Sequence, residues 1–289
     1  MGKLFDFELV FTSIPELLQK LPITLELALL AMVLGLLLGL LMAVIKQKKI
    51  RVLTQIVNFL ISLIRGTPVI VQLYIAFFGI PMFFKYLNQQ FGTDFAVAEI
   101  PGFVYAVVAL GLNQSAFCAE IIRSALQSVD EGQIEAAHAL GMSFFQTLRR
   151  VILPEAFEVA LPTLGNSLIS MIKSTSLAFT CAVVEITAQG KIIGGRSYRY
   201  FEVYVSLAII YWVITIVIEQ GIRLIEKKIR IPEQVELVAV KADSAGGDKS
   251  AGVLQEAKRA VVRTDNAGGD KSAGLLRQAK AVAARKEGT

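Results

Sequence analysis

The chain has 289 residues, 54% of them hydrophobic, with 29 basic and 24 acidic side chains and a net charge of +5. Its mean hydropathy of +0.59 is too high for a soluble domain of this length, and the basic residues flank apolar runs, which argues for membrane loops and against a nucleic-acid partner. One histidine and two cysteines, Cys118 and Cys181, without neighbours at ligand spacing, argue against a zinc or haem site.

Residues 1–22 read as an outer interfacial segment, with Phe7, Val10, Phe11 and Ile14 set among acids. Pro15 and Pro22 are expected to break it into short pieces. It lacks a basic start followed by an apolar core, so the first span is expected to serve as its own insertion signal. That span is Ile23 to Ile45, long enough to cross a core of about 30 Å at about 1.5 Å per residue. The apolar stretch from Val52 to Phe84 is too long for one straight span, and Arg65, Gly66 and Pro68 predict a kink or break within it. A third span is predicted from about Phe103 to Arg123.

Residues 128–157 form a long connection with helical grammar. Ser128 and Glu131 are spaced as a capping box, and Ile134, Ala137 and Leu140 share one helical face. Gly141 is placed to end that helix. Ser143 and Gln146 then predict a second short helix from Phe144 to Val151, ended by Pro154. Phe144, Phe145 and Leu148 cannot all face one membrane interior, and Arg149 and Arg150 offer charges to a partner, so the loop has the character of a docking device.

The fourth and fifth spans are expected at about Leu161 to Val184 and Tyr204 to Leu224. Positive charge orients the five. Lys46, Lys48, Lys49 and Arg51 in the first loop, and Arg223, Lys227, Lys228 and Arg230 after the last span, place both on the cytoplasmic side. The N-terminus is then outside, the C-terminus is cytoplasmic, and Lys191, Arg196 and Arg199 are external against the trend. Residues 233–289 hold a tandem 22-residue repeat, 243–263 and 265–285, too poor in large apolar groups to offset its ordering entropy, so a flexible tail is expected. A tethering or regulatory segment is the alternative.

The pattern Glu135-Ala136-Ala137, Gly141, then Ile152-Leu153-Pro154 resembles the EAA loop of permease subunits of ATP-binding cassette (ABC) importers. Arg65-Gly66-Thr67-Pro68 with Val71-Gln72-Leu73, Leu110 to Asn113, Ala119 to Arg123 and Lys173 to Leu177 are similar to the polar amino acid permeases within that superfamily. These blocks run in order across about residues 20 to 230. Asp130 and Phe117 depart from the pattern, where that branch usually has Pro and often Tyr.

The resemblance implies an all-α membrane protein: a five-span, type I importer bundle, 23–232, with a cytoplasmic coupling loop at 128–157. It implies import of polar amino acids across the plasma membrane, with two ABC ATPase subunits, a second permease chain (a copy or a relative) and an extracytoplasmic amino acid-binding protein as partners. The chain has no Walker A pattern, so it is expected to be non-catalytic and to bind no cofactor, with ATP used by the ATPase subunit. Coupling to the ATPase falls to Glu135, Ala136, Ala137, Gly141, Phe144, Arg149 and Pro154.

Polar groups at mid-membrane mark candidate substrate contacts: Asn113, Gln114, Phe117 and Glu120 on the third span, and Asn166, Ser170, Lys173, Ser174 and Thr175 on the fourth. Glu120 and Lys173 suit the two charges of an amino acid; alternatively they pair with each other or hold helices together. Two other function classes compete. An ion-coupled secondary transporter usually has two homologous halves, which these spans do not show, and a membrane enzyme needs a nucleophile beside a base.

Overall fold

The computed structural model describes residues 5–96 and 99–229, and every regular element among them is a helix. The repeat-bearing segment, 233–289, lies outside the described residues. In chain order the helices are α1 (Phe7–Leu18), α2 (Leu21–Gln47), α3 (Arg51–Gly66), α4 (Val69–Tyr74), α5 (Ile80–Phe91), α6 (Gly102–Gln127), α7 (Glu131–Ala139), α8 (Phe144–Thr147), α9 (Leu153–Ser174), α10 (Ile186–Ser197) and α11 (Tyr200–Ile229). A π-turn, Ile75–Gly79, joins α4 to α5, and a 3-10 turn, Thr175–Cys181, extends α9.

Four helical runs are long and apolar enough to cross a membrane: Leu21–Gln47, Val69–Phe91, Gly102–Gln127 and Tyr200–Ile229. Phe144–Cys181 with Ile186–Ser197, bent by 57°, makes a fifth if the pair counts as one span. The expected break in the second stretch falls at Thr67, which is extended (φ −116°, ψ 141°) because it precedes Pro68.

Small residues set the centre of the bundle. Ala31, Gly35, Gly39 and Ala43 recur along one face of α2 and lie against α6. A Cβ on Gly35 would sit 2.7 Å from the Gln114 Cβ, and one on Gly39 would sit 2.6 Å from the Cys118 Cβ and 2.9 Å from the Ala119 backbone nitrogen. Neither position admits a side chain, so the two backbones approach more closely than larger residues permit. Leu27, Ala28, Leu73, Ala106, Leu110, Met171 and Ile172 continue this core across α2, α4, α6 and α9. Cys181 is a buried thiol within it, and Cys118 is buried against Gly39 of α2.

Three proline and capping expectations are corrected. α1 runs unbroken through Pro15, and Pro22 stands in the first turn of α2, where its missing N–H leaves no bond unmade. Pro154 ends nothing: the Leu153 N–H bonds to the Leu148 carbonyl in a π-turn, Leu148–Ile152, and the helix continues into α9. The wider turn accommodates the donor that Pro154 lacks. Ser128 does not cap α7. Its hydroxyl donates back to the Ala125 carbonyl at 2.8 Å, and Asp130 is the cap, accepting from the Gly132 N–H at 2.8 Å.

α1 docks onto α10 and α11 through one face. Leu17 is fully buried against Ile186, Val203 and Leu207, and the Ser13 and Ser206 hydroxyls are 3.0 Å apart. Phe7 and Phe11, on its other face, are exposed. Glu16 accepts from Gln189 (2.7 Å) and Arg196 (3.2 Å), and Glu202 accepts from Arg199 (2.7 Å), so two of the three basic residues that oppose the charge rule are in ion pairs.

Candidate functional site

The loop between α6 and α9 holds two short helices. Asp130, not the expected Ser128, starts α7, and a paired Ser143–Gln146 capping box starts α8, as expected from its spacing. Between them Gly141 has φ +78°, a left-handed conformation that glycine adopts without strain. The Met142 N–H bonds to the Ala137 carbonyl (3.1 Å) and the Gly141 N–H to the His138 carbonyl (2.9 Å). These two bonds make a Schellman motif, which satisfies the carbonyls at the end of α7.

The loop has an inward and an outward side. Ala137 and Thr147 are buried, and Ile134 packs on Ala125, Val129, Ala156 and Ala160, which ties α7 to the ends of α6 and α9. Glu135, Ala136, Arg149 and Pro154 are exposed. Leu140 is 81% exposed, Phe144 72% and Phe145 68%. Leu140 therefore does not share the inward face of Ile134 and Ala137: the chain has already left the helix at Leu140. These three large apolar side chains are thus grouped and exposed around one capped turn.

The candidate pathway residues divide between two levels. Asn113, Phe117 and Glu120 stand on one face of α6, at spacings of four and three, and each meets a different element. Asn113 donates from Nδ2 to the Gln72 Oε1 at 3.1 Å. Gln72 in turn donates to the Ile64 carbonyl (2.8 Å) and to the Thr67 carbonyl (3.2 Å) and hydroxyl (2.7 Å), so one side chain supplies partners across the α3–α4 break. The Arg65 guanidinium lies over the Phe117 ring, 5.5 Å from its centre. Glu120 binds Lys46 at the end of α2, 2.5 Å away, and Arg123 on α6 at 2.9 Å.

The alternative in which Glu120 pairs with Lys173 is therefore overturned. Met171 and Ile172 pack beside Leu110, and Glu120 lies ten residues further along α6, about 15 Å at the helical rise. Lys173 is exposed and makes no ion pair among the described residues. The Ser174 hydroxyl donates to the Ser170 carbonyl (2.9 Å), and the Thr175 hydroxyl donates to the Ile172 carbonyl (2.7 Å). Gln114 is buried against α2 and does not join the Asn113 face.

Sequence reasoning did not join Lys46 to Glu120 or Gln72 to Asn113, and it did not single out Glu185. Glu185 is fully buried, caps α10 through the Ala188 N–H (2.8 Å) and accepts from the Tyr211 hydroxyl (3.3 Å). A lone acid inside an apolar run, just before a new helix, was the available sign. Among the described residues no group of three or more His, Cys, Asp or Glu could hold a metal ion.

The family described as the binding-protein-dependent transport system inner membrane component matches residues 35–231. This chain belongs to that family. The permease is 41% identical over 212 residues to a probable amino-acid permease protein, YxeN, of Bacillus subtilis strain 168, covering 73% of this chain and 90% of that one. It is 38% identical over 240 residues to the L-cystine transport system permease protein TcyL of the same organism, covering 83% and 98%. Among solved structures it is similar to a crystal structure of an amino acid ABC transporter with histidines, at a TM-score of 0.65 and 38% identity, covering 78% of this permease and 99% of that chain. The helical bundle with its α7–α8 loop is thus the type I importer permease fold, and permeases of this kind are non-catalytic subunits that work with ATPase and binding-protein partners.

Proposed function

We propose that this permease forms the membrane pathway of an ATP-driven importer of polar amino acids, and that α7 and α8 seat the ATPase subunit. The exposed triad of Leu140, Phe144 and Phe145 on a twice-capped loop carries this reading. Glu135, Ala136 and Arg149 frame the triad, while Ala137, Gly141 and Pro154 shape the loop that presents it. ATP is bound and hydrolysed by the partner, and the permease itself holds no cofactor. The assembly is two ATPase subunits, this chain with a second permease chain, and an extracytoplasmic amino acid-binding protein.

The charge pattern supports the orientation. Lys46 and Lys49 of the first loop line one cavity together with Glu131 and Ile134 of α7, so the basic loop and the docking loop share an end of the bundle. That end is cytoplasmic by the positive-inside rule, which puts the N-terminus outside. Asn113, Phe117 and Glu120 line the inner half of the route, and Lys173, Ser174 and Thr175 belong to its outer half.

Replacing Leu140, Phe144 and Phe145 together with Ser tests the seat. The side chains are exposed, so the permease keeps its stability and elutes as a single species in detergent. Each loses on the order of 1.5 kcal/mol of interfacial burial, so affinity for the ATPase subunit should fall on the order of 1,000-fold and co-purification should be lost. An ATPase subunit retained at full stoichiometry would show that it seats elsewhere.

A further inference from the structure

Helix α1 has three faces. At about 100° per residue, Phe7, Phe11, Pro15 and Leu18 fall within an arc of about 80°, and all four are exposed. Glu8, Thr12, Glu16 and Gln19 fill the next arc, where the Thr12 hydroxyl donates to the Glu8 carbonyl at 2.9 Å. Val10, Ser13 and Leu17 fill the third and are buried. There Leu17 packs on Ile186 and Val203, and the Ser206 hydroxyl donates to the Val10 carbonyl at 2.8 Å. A helix that only packed on the bundle would need a buried face and a polar face. The exposed apolar stripe is a third.

The depth of α1 follows from its neighbours. Gln19 and Lys20 alone separate it from α2, a span whose far end, Gln47, is about 39 Å away at the helical rise. Lys46 at that far end lines a cavity with Glu131 and Ile134 of α7, so α1 sits at the end opposite the α7–α8 loop. On α11 it meets Val203, Ser206 and Leu207, in the first turns of a 30-residue helix about 45 Å long. A bilayer core is about 30 Å thick, so both helices reach past the hydrocarbon, and α1 lies where acyl chains give way to headgroups.

The exposed stripe continues onto α11. The Phe5 ring lies edge-on to Phe7, 4.6 Å between ring centres, and to Phe201, 5.7 Å. From Phe201 the exposed Tyr204, Ala208, Trp212 and Ile216 run down one face of α11 at helical spacing. That face is the outward side of a membrane span, so Phe7 and Phe11 extend a lipid-facing surface to its outer edge.

We propose that α1 is seated in the outer leaflet, with Phe7, Phe11, Pro15 and Leu18 among the upper acyl chains and Glu8, Thr12 and Gln19 among hydrated headgroups. The partner of this surface is lipid. Glu16, at the polar edge, carries the seat to α10, because it accepts from Gln189 at 2.7 Å and from Arg196 at 3.2 Å. The leaflet thereby holds α10, the bent half of the α9–α10 pair, in place through α1. The seat is independent of coupling to ATP.

Fluorescence quenching in the assembled transporter tests this. Trp212→Phe removes the one tryptophan of the chain, and the signal of this parent is subtracted. Phe11→Trp on the apolar stripe and Thr12→Trp on the polar one are then compared. Both positions are exposed, so the fold is kept. The transporter is placed in nanodiscs of phosphatidylcholine, plain or brominated near the headgroup end of its acyl chains, and acrylamide is the aqueous quencher. Bromolipid should quench Phe11→Trp on the order of threefold more than Thr12→Trp, and acrylamide should do the reverse. Equal acrylamide quenching of the two would put the stripe in water and overturn the seat. Phe11→Trp shielded from both quenchers would mean that another protein chain covers the stripe, which also overturns it. Neither nucleotide nor solute is added, so the result reads the same whether or not the transporter imports amino acids.

Discussion

Gly39→Ala is expected to cost this permease roughly 1–3 kcal/mol, the range for forcing a methyl group into a packed interior, and Gly39→Leu to prevent the α2–α6 pair from forming. The added Cβ meets the Cys118 Cβ at 2.6 Å, the Ala119 nitrogen at 2.9 Å and the Ser115 carbonyl oxygen at 3.0 Å. Two of these three are backbone atoms of a helix and cannot turn aside. Separating the helices to make room would also loosen the core formed by Leu27, Ala28, Ala31, Ala106 and Leu110. Gly221→Ala in α11 is the matched control. Its Cβ meets nothing within 4 Å, so alanine there is neutral or slightly stabilising through its better helix propensity. Thermal stability of the detergent-solubilised protein, followed by size-exclusion elution, should fall for Gly39→Ala, vanish for Gly39→Leu and hold for Gly221→Ala. A Gly39→Leu protein that elutes and melts normally would mean that α2 and α6 do not approach as described.

The second large effect is at Gly141, and there conformation acts, not crowding. No atom lies within 4 Å of a Cβ built at this position, but its φ of +78° penalises any β-branched residue. Gly141→Val is expected to cost on the order of 1–3 kcal/mol locally and to abolish the Schellman turn that fixes Phe144 relative to α7. Asparagine tolerates the left-handed region, so Gly141→Asn should keep the turn. Both proteins should fold, because the loop lies outside the bundle core. The Val protein should lose most ATP-driven uptake and the Asn protein should keep most of it. Equal loss in both would point to bulk at the docking surface, and equal retention would mean that the turn does not transmit movement.

Much of this was legible before the fold. Long apolar runs gave the first, third and fifth spans, because a bilayer sets their length, whereas the second stands at Val69–Phe91 instead of filling Val52–Phe84 and the fourth is a pair of helices bent by 57°. Thr67-Pro68 gave the break, since the residue before proline is excluded from the helix. Ser143 with Gln146, and Gly141, gave the second cap and the turn of the loop, which depend on neighbours in sequence. What was not legible depended on neighbours in space. Pro154 looked like a helix end, yet a π-turn absorbs it, because the chain on both sides is packed on α6. The capping role passed from Ser128 to Asp130, because α6 continues to Gln127 and leaves Ser128 as its own last cap. Glu120 and Lys173 looked like a charge pair at mid-membrane, but only the helix arrangement puts Lys46 and Arg123 beside Glu120 and sets Lys173 at another level. The Gly35–Gly39 seam is visible as a spacing of four, although nothing in the sequence says which helix fills it.

ATP dependence of uptake tests the central claim most directly. Proteoliposomes would hold this permease with its ATPase partner and binding protein, and uptake of labelled amino acids would be followed with ATP, without ATP and with a non-hydrolysable analogue. Uptake against a gradient with ATP alone, and none in the other two conditions, is the result expected of a subunit driven through α7 and α8. Uptake that proceeds without ATP and follows an imposed proton or sodium gradient would contradict the account and make the chain an ion-coupled carrier.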